Sequence, residues 1–181
     1  MSYLAQGTTS DRDQESHKNA LTYFRNLADR FPTSPYADKS RLRVRECREA
    51  LAKHEADIAM YYLRQGSLRA AESRLRGLLL EYPETDASAQ ALYTFAEAYA
   101  KREEQEGATL ALTTLVHHHP DGPLGKQARD LLGGKDPAGG GDPLPMLLDR
   151  LAQNREQADR QKVPNAVSAY PDIGGTNQPR F

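Results

Sequence analysis

The side chains best suited to chemistry in this sequence are three consecutive histidines, His117, His118 and His119. Neighbouring residues of an α-helix point about 100° apart, so three in a row do not converge on one metal ion. Asp121 is the only acidic or cysteine side chain within helical reach of them. The run therefore predicts no metal site. His119 instead occupies a position where related segments of the chain carry an aromatic residue, which indicates a packing role.

Cys47, the single cysteine, is the other candidate for chemistry. It lies at helical spacing from Val44 and Leu51, a pattern typical of a buried thiol and not of a nucleophile. His54 is the only histidine on the same predicted helix, two turns away, and a single cysteine forms no internal disulfide. The sequence has no glycine-rich phosphate loop and no hydrolase or zinc-protease motif. We expect a protein that is not an enzyme and that holds no cofactor.

The composition excludes further classes of protein. The 181 residues carry 24 basic and 25 acidic side chains, so a net charge of −1 creates no field that attracts nucleic acid. The mean hydropathy is −0.75, and no stretch approaches the roughly 20 apolar residues that span a bilayer. Neither a transmembrane protein nor a nucleic-acid-binding protein fits these values.

An internal repeat organises the chain. An aromatic residue or histidine precedes proline at Phe31-Pro32, Tyr82-Pro83 and His119-Pro120. An alanine lies 12 positions before each proline, a Phe or Leu 8 before and a Leu 5 before, a spacing that places them on one helical face. The proline ends one helix, and Ser34 or Thr85 can cap the next. This pattern predicts the paired antiparallel helices of a tetratricopeptide repeat.

The prolines are 51 and then 37 residues apart, and only the second interval fits a period of about 34 residues. Residues 36–65 contain no Gly or Pro, which favours one unusually long helix, although two helices broken near Ala52-Lys53 also fit. Gly66 should end this segment, and further helices are expected over about 87–103 and 106–118. The residues predicted to face the core are Leu68, Ala71, Leu75, Leu78, Leu79, Leu92, Phe95, Ala96 and Tyr99.

We therefore predict an all-α fold, a right-handed tetratricopeptide-repeat helical solenoid of about six helices with a disordered C-terminal tail. Residues 133–181 carry 7 of the 13 glycines and 6 of the 11 prolines. The predicted organisation is a disordered segment (1–10), the repeat domain (11–132), a Gly/Pro linker (133–145), and a marginal helix followed by the disordered tail (146–181). The helix is marginal because its apolar face consists only of Leu147, Leu148 and Leu151.

Charge is uneven along the repeats. Residues 38–76 hold ten basic and six acidic side chains, whereas 84–106 hold two basic and six acidic. A basic region beside an acidic one suits docking to charged protein domains, although ordinary mixed surface charge produces the same pattern. Tyr61 and Tyr62 could supply an aromatic anchor, and we expect one of them to be buried and the other partly exposed.

Several segments of the chain resemble the BamD family of tetratricopeptide-repeat lipoproteins, which assemble outer-membrane proteins. The resemblance covers about residues 11–119. It is most specific from LAKHE at 51–55 to YYLRQG at 61–66, where the repeat period is broken. The segments that carry it are 11–13, 30–37, 50–55, 59–66, 70–75 and 81–85.

This resemblance implies a scaffold that binds BamA-like POTRA domains and other subunits of the assembly complex, and that meets unfolded outer-membrane proteins. It also implies that only the C-terminal repeats of the family are present here. Arg74 matches the arginine that the family presents to the POTRA partner, where a guanidinium suits a carboxylate. A solvated surface arginine is the plainer alternative. The other expected contacts are Tyr62, Arg64, Arg69 and Arg76.

The resemblance further implies the periplasmic face of the outer membrane, reached through a lipid anchor. Residues 1–10 carry no signal peptide and no lipobox surrounds Cys47, so the sequence as written would remain cytoplasmic if it is complete. The alternative function is a generic tetratricopeptide adaptor that binds peptides in its concave groove.

Overall fold

The computed structural model describes residues 3–133 and 140–162, with side chains described for 14–133 and 140–154. Over these residues the chain is all-helical, with seven helices and no strand, which confirms the predicted fold class. The helices are α1 (Tyr3–Arg30), α2 (Ala37–Arg64), α3 (Leu68–Glu81), α4 (Asp86–Lys101), α5 (Gln105–His118), α6 (Pro123–Leu132) and α7 (Leu144–Lys162).

Helix α2 is the long helix that the sequence predicts. It runs unbroken for 28 residues, through Ala52 and Lys53, because neither Gly nor Pro interrupts its backbone hydrogen bonds. It contacts α1, α3 and α4, and so joins the first helix to the rest of the fold. Ala52, Ala56 and Ala59 are buried on it, and these small side chains let the neighbouring helices approach closely.

The core lies between α2, α3, α4 and α5. The residues predicted to face it on α3 and α4 are buried, except Leu68, which is half-buried. Burying one Leu or Phe side chain contributes about 1.5–3 kcal/mol, so the buried side chains of α3 and α4 supply much of the stability of the repeats. The fully buried large side chains on these two helices are Leu75, Leu78, Leu79, Leu92, Phe95 and Tyr99.

The helix junctions follow the predicted turn residues, with one exception. Gly66 has a φ of +74°, a left-handed conformation that favours glycine after the end of α2. Thr85 caps α4, because its Oγ1 accepts a hydrogen bond from the backbone N–H of Ser88. The expectation for Ser34 is wrong: α2 begins without a side-chain cap, and the Ser34 hydroxyl instead accepts from the N–H of Tyr36, at 3.2 Å.

The segment predicted to be disordered, residues 1–10, overlaps the first helix. Helix α1 begins at Tyr3 and includes residues 3–10. A helix that is already nucleated extends at little cost per residue, and no proline interrupts this segment.

Helix α7 packs far more closely than the sequence suggested. It contacts α3 and α5, and its Leu147 and Leu151 are almost fully buried within the same core cluster as Leu75 and Phe95. The folded unit therefore continues beyond the predicted boundary at residue 132. A face of three leucines is too small to hold a helix alone, but it suffices where two neighbouring helices offer a matching surface.

Parts of two other predicted segments, the linker over 134–139 and the tail over 163–181, lie outside the described residues. Among the helices that the structure describes, none combines the length and apolar character needed to cross a membrane.

Candidate functional site

The candidate site lies on the seam between α2 and α3. Arg48, Glu55 and Tyr62 follow one another at intervals of seven residues along α2, about two helical turns, so they share one face. Arg74 of α3 meets the middle of this row: its Nη1 lies 3.6 Å from Oε2 of Glu55. The Arg74 side chain is 47% exposed and that of Glu55 is 33% exposed. We call this surface the α2–α3 seam.

Arg48 closes the seam where α3 ends. Its Nη2 donates a hydrogen bond to the carbonyl of Glu81, and its guanidinium stacks over the ring of Tyr82, 5.1 Å from the centroid. Its Nε donates to the carboxylate of Glu84, and this hydrogen bond raises the pKa of Arg48. For Glu84, burial opposes ionisation, but the hydrogen bond from Arg48, a backbone hydrogen bond and the positive charge of Arg48 together lower the pKa. Arg48 is therefore committed to internal contacts.

Glu49 provides a second connection between α2 and the next repeat. Its two carboxylate oxygens accept hydrogen bonds, each of 2.9 Å, from the backbone N–H groups of Asp86 and Ala87 at the start of α4. Those N–H groups have no partner within the helix, and a carboxylate there also interacts favourably with the helix dipole. Because the cap comes from another helix 37 residues away, it fixes α4 relative to α2.

The five sequence-predicted contact residues do not form one patch. Arg74 faces the seam, whereas Arg76 lies two positions on and therefore points about 200° away around α3. Arg69 and Arg76 are seven positions apart and share that other face, where Arg76 is half-buried with its Nε lacking a hydrogen-bond partner. Arg64 is exposed as the last residue of α2. Arg69 and Arg76 thus do not flank Arg74 on the surface, as the linear sequence had suggested.

The tyrosine pair is more exposed than expected. Tyr61 is 53% exposed, and Tyr62 is half-buried and packs against the core cluster, so neither is fully buried. Their rings meet edge to face, with centroids 5.6 Å apart. The aromatic surface available to a partner is therefore mainly that of Tyr61. The Tyr62 ring lies between Tyr61 and the core cluster and packs against both.

A buried polar cluster on the opposite side of α3 was missed by sequence reasoning. Glu72 is only 2% exposed, and its Oε1 accepts hydrogen bonds from the hydroxyl of Tyr99, at 2.8 Å, and from Nδ2 of Asn154, at 3.0 Å. Burial, together with the Glu72 carboxylate, raises the pKa of Tyr99 strongly. Glu72 and Asn154 are 82 residues apart, so no local pattern links them.

The residues first considered for chemistry have structural roles. His119 is partly buried and its Nε2 bonds the carbonyl of Pro83, at 3.1 Å, which ties one repeat to the next. His118 approaches Asp142 at 3.2 Å. Cys47 is buried, and burial raises the pKa of its thiol, which opposes nucleophilic use. Among the described residues, no group of three or more potential ligands could hold a metal ion.

The family model described as "YfiO: Outer membrane lipoprotein" matches residues 1–115. Three curated relatives bear the name outer membrane protein assembly factor BamD. The Haemophilus influenzae protein is 37% identical over 90 residues, covering 50% of this chain and 34% of that protein. The Vibrio cholerae protein is 36% identical over 102 residues, which cover 56% of this chain and 41% of that protein. The protein of Neisseria meningitidis serogroup B is 31% identical over 124 residues, which cover 68% of this chain and 46% of that protein.

This chain thus spans about a third to a half of the length of the relatives it matches. No solved structure matches it. The matched region contains α1 to α4 and most of α5, including both sides of the α2–α3 seam. Because the family model covers more than half of its length, this chain belongs to the YfiO family of outer membrane lipoproteins.

Proposed function

We propose that this chain is a scaffold subunit of the outer-membrane β-barrel assembly complex, and that it docks a POTRA domain of a BamA-like subunit on the α2–α3 seam. The family match and the names of the relatives support a role in outer-membrane protein assembly. The proposal places the protein at the periplasmic face of the outer membrane and gives it a binding role without catalysis.

The exposed guanidinium of Arg74 carries the docking proposal. Among the described residues it forms an ion pair with Glu55, at 3.6 Å, and both side chains remain partly exposed. A pair of this kind contributes about 0–1 kcal/mol to folding, so a carboxylate on a partner can replace Glu55 at little cost. An arginine can form two parallel hydrogen bonds with such a carboxylate, which fixes orientation as well as affinity.

The surroundings of Arg74 suit a rigid docking surface. Helix α2 is continuous over 28 residues, about 42 Å, and α3 is fastened to it by Arg48. Tyr61 adds an exposed aromatic ring on α2. A surface that is already ordered loses little conformational entropy on binding, so more of the contact energy contributes to affinity.

The test is a pair of neutralising substitutions measured against the cognate POTRA domains by isothermal titration. Arg74→Gln and Glu55→Gln both break the internal ion pair, but only Arg74→Gln removes the proposed contact. We expect Arg74→Gln to weaken binding at least about tenfold, equivalent to about 1.4 kcal/mol, and Glu55→Gln to leave it unchanged or tighter. Arg41→Gln, at a half-exposed arginine of α2, serves as the control for net charge. Equal affinity of wild type and Arg74→Gln would rule out the docking contact.

A second candidate, a peptide-binding adaptor, is favoured by a cleft between α4, α5 and α6. The cleft has a volume of about 400 Å³, and its apolar lining includes the exposed side chain of Leu131. Its lining includes Tyr93, Ala96, Leu112 and Leu131. Titration with C-terminal peptides of unfolded barrel proteins distinguishes the two functions, because Leu131→Glu should weaken peptide binding and leave POTRA binding intact.

A further inference from the structure

Helix α7 packs on α3 and α5 in the way that a separate helical ligand would bind to them. It begins at Leu144, beyond the residues 1–115 that match the family model. The connection from α6, residues 133–143, contains five glycines and two prolines among eleven residues. Among the described residues, α7 contacts α3 and α5 and makes no contact with α6, the helix that precedes it. The position of α7 is therefore decided by the surface on which it packs.

That surface, which we call the α7 groove, lies on α3 and α5 and is marked by Glu72, Glu104 and Gly107. Helix α7 enters it with three anchors, Leu147, Leu151 and Asn154, at positions i, i+4 and i+7. This spacing places all three on one helical face, the pattern by which amphipathic helices bind in grooves. Both leucines are at most 1% exposed, and Asn154 donates its hydrogen bond to Glu72.

The groove offers specific contacts as well as an apolar floor. The carboxylate of Glu72 is held from within by Tyr99, so the acceptor for Asn154 is positioned independently of α7. Arg150 donates to Glu104 at 3.1 Å and to Glu106 at 3.3 Å. Gly107 makes room for it, since a Cβ at that position would lie 3.1 Å from the guanidinium. In this groove α7 thus places a leucine pair, an arginine and an amide in a fixed order.

We propose that the α7 groove is a helix-binding site, that α7 occupies it in cis, and that it accepts an amphipathic helix of another protein with the same anchors. The required helix carries leucines at i and i+4, an arginine at i+3 and an amide at i+7. Only eleven residues separate α7 from α6, and so short a connection gives α7 an effective concentration in about the millimolar range, so it competes strongly with any helix in trans. Partner binding at this groove is therefore gated by release of α7. The proposal concerns a different face of α3 from Arg74 and does not depend on POTRA docking.

The test uses the full chain and a fluorescent peptide of residues 142–162, with binding followed by anisotropy. In wild type the cis helix should keep the peptide's affinity low. The double variant Leu147→Ala/Leu151→Ala weakens α7 and leaves the groove unchanged, so it should bind the peptide at least about tenfold more tightly. Asp149→Ala, on the exposed face of α7, is the matched control and should behave as wild type. A double variant that retains its helical circular dichroism but binds the peptide no better than wild type overturns the proposal.

Hydrogen exchange on the wild-type chain keeps the proposal testable if the double variant does not fold. A gating helix must detach without global unfolding, so the amides of α7 should exchange as a group faster than those of α4 and α5. Equal protection of α7 and of α4 and α5 would mean that the groove opens only when the whole domain unfolds. That result would overturn the proposal.

Discussion

Helices α1 and α4 illustrate two levels of packing within one chain. Among the described residues, α1 packs only against α2, whereas α4 packs against α2, α3, α5 and α6. Of the α1 side chains that the structure describes, only Ala28 is buried, and Phe24 and Leu27 are half-buried. Helix α4 buries Leu92, Phe95 and Tyr99 completely.

This difference shows that an apolar stripe determines which face of a helix turns inward, but not how deeply that face is buried. Phe24 and Leu75 occupy equivalent positions in the repeat, eight residues before the proline. Leu75 is fully buried because α3 lies among several neighbours, and Phe24 is half-buried because α1 has one. The α1–α2 pair should accordingly be the less stable part of the molecule.

The largest expected effect is the contrast between two phenylalanines. Phe95→Ala in α4 should lower the free energy of unfolding by about 3–5 kcal/mol, because it leaves a cavity in a closed core. Phe24→Ala in α1 should cost only about 1–2 kcal/mol, since solvent already reaches that side chain. Urea denaturation of the two variants measures both values. Equal losses would show that α1 is as tightly integrated as α4.

Gly125→Ala tests the close packing of α6 on the preceding turn. A Cβ at this position would lie 1.9 Å from the carbonyl oxygen of His119, so the backbone must shift. We expect a loss of about 1–3 kcal/mol, typical of overpacking. Gly77→Ala in α3 is the matched control, because nothing lies within 4 Å of its added methyl group. This control should gain up to about 1 kcal/mol from helix propensity, and destabilisation by both substitutions would contradict the steric explanation.

Tyr99→Phe removes the hydrogen bond to Glu72 and should cost about 1 kcal/mol at pH 8. Burial first, and the nearby Glu72 carboxylate second, raise the pKa of Tyr99 above its ordinary value of 10.0. Above pH 10 the unfolded chain loses this proton while the folded chain retains it, so the contribution of Tyr99 to stability falls as the pH rises.

The difference in stability between wild type and Tyr99→Phe should therefore narrow above pH 10. Chemical denaturation at pH 8 and at pH 10.5 to 11 (values chosen to bracket the ordinary tyrosine pKa) measures it. Tyr23→Phe is the control from the less packed region, because Tyr23 is 67% exposed. A gap that stays constant through pH 11 would show that Tyr99 ionises alike in the folded and unfolded chains.

The smallest effect concerns the connection between the two regions. Glu49→Ala removes the cap that α2 provides to α4 and should cost about 1 kcal/mol, the usual value for a helix cap. Glu46→Ala, three residues away, breaks only an exposed ion pair with Arg43 and should change stability by less than about 0.5 kcal/mol. Thermal unfolding of both variants measures the difference. If the two costs are the same, Glu49 does not couple the repeats.

Much of the fold followed from the sequence. The absence of Gly and Pro over 36–65 favoured a continuous α2, and the spacing of Leu75, Leu92 and Phe95 predicted the core face. Helical periodicity is local, so one chain segment contains all the information needed to predict it. The sequence also predicted a marginal helix in the region of α7, but not its close packing, because that packing depends on a surface distant in the chain.

For the candidate site, the sequence and the family resemblance pointed to Arg74, but they did not predict the surface on which it lies. Its partner Glu55 is on another helix, and the arginines next to it in sequence point elsewhere because of the helical repeat. The Glu49 cap and the contact between Glu72 and Asn154 join residues 37 and 82 positions apart. Which side chains share a local helical face was set by the chain's own order. Which faces meet was decided only by tertiary packing, since contacts between distant segments leave no periodic pattern in a single sequence.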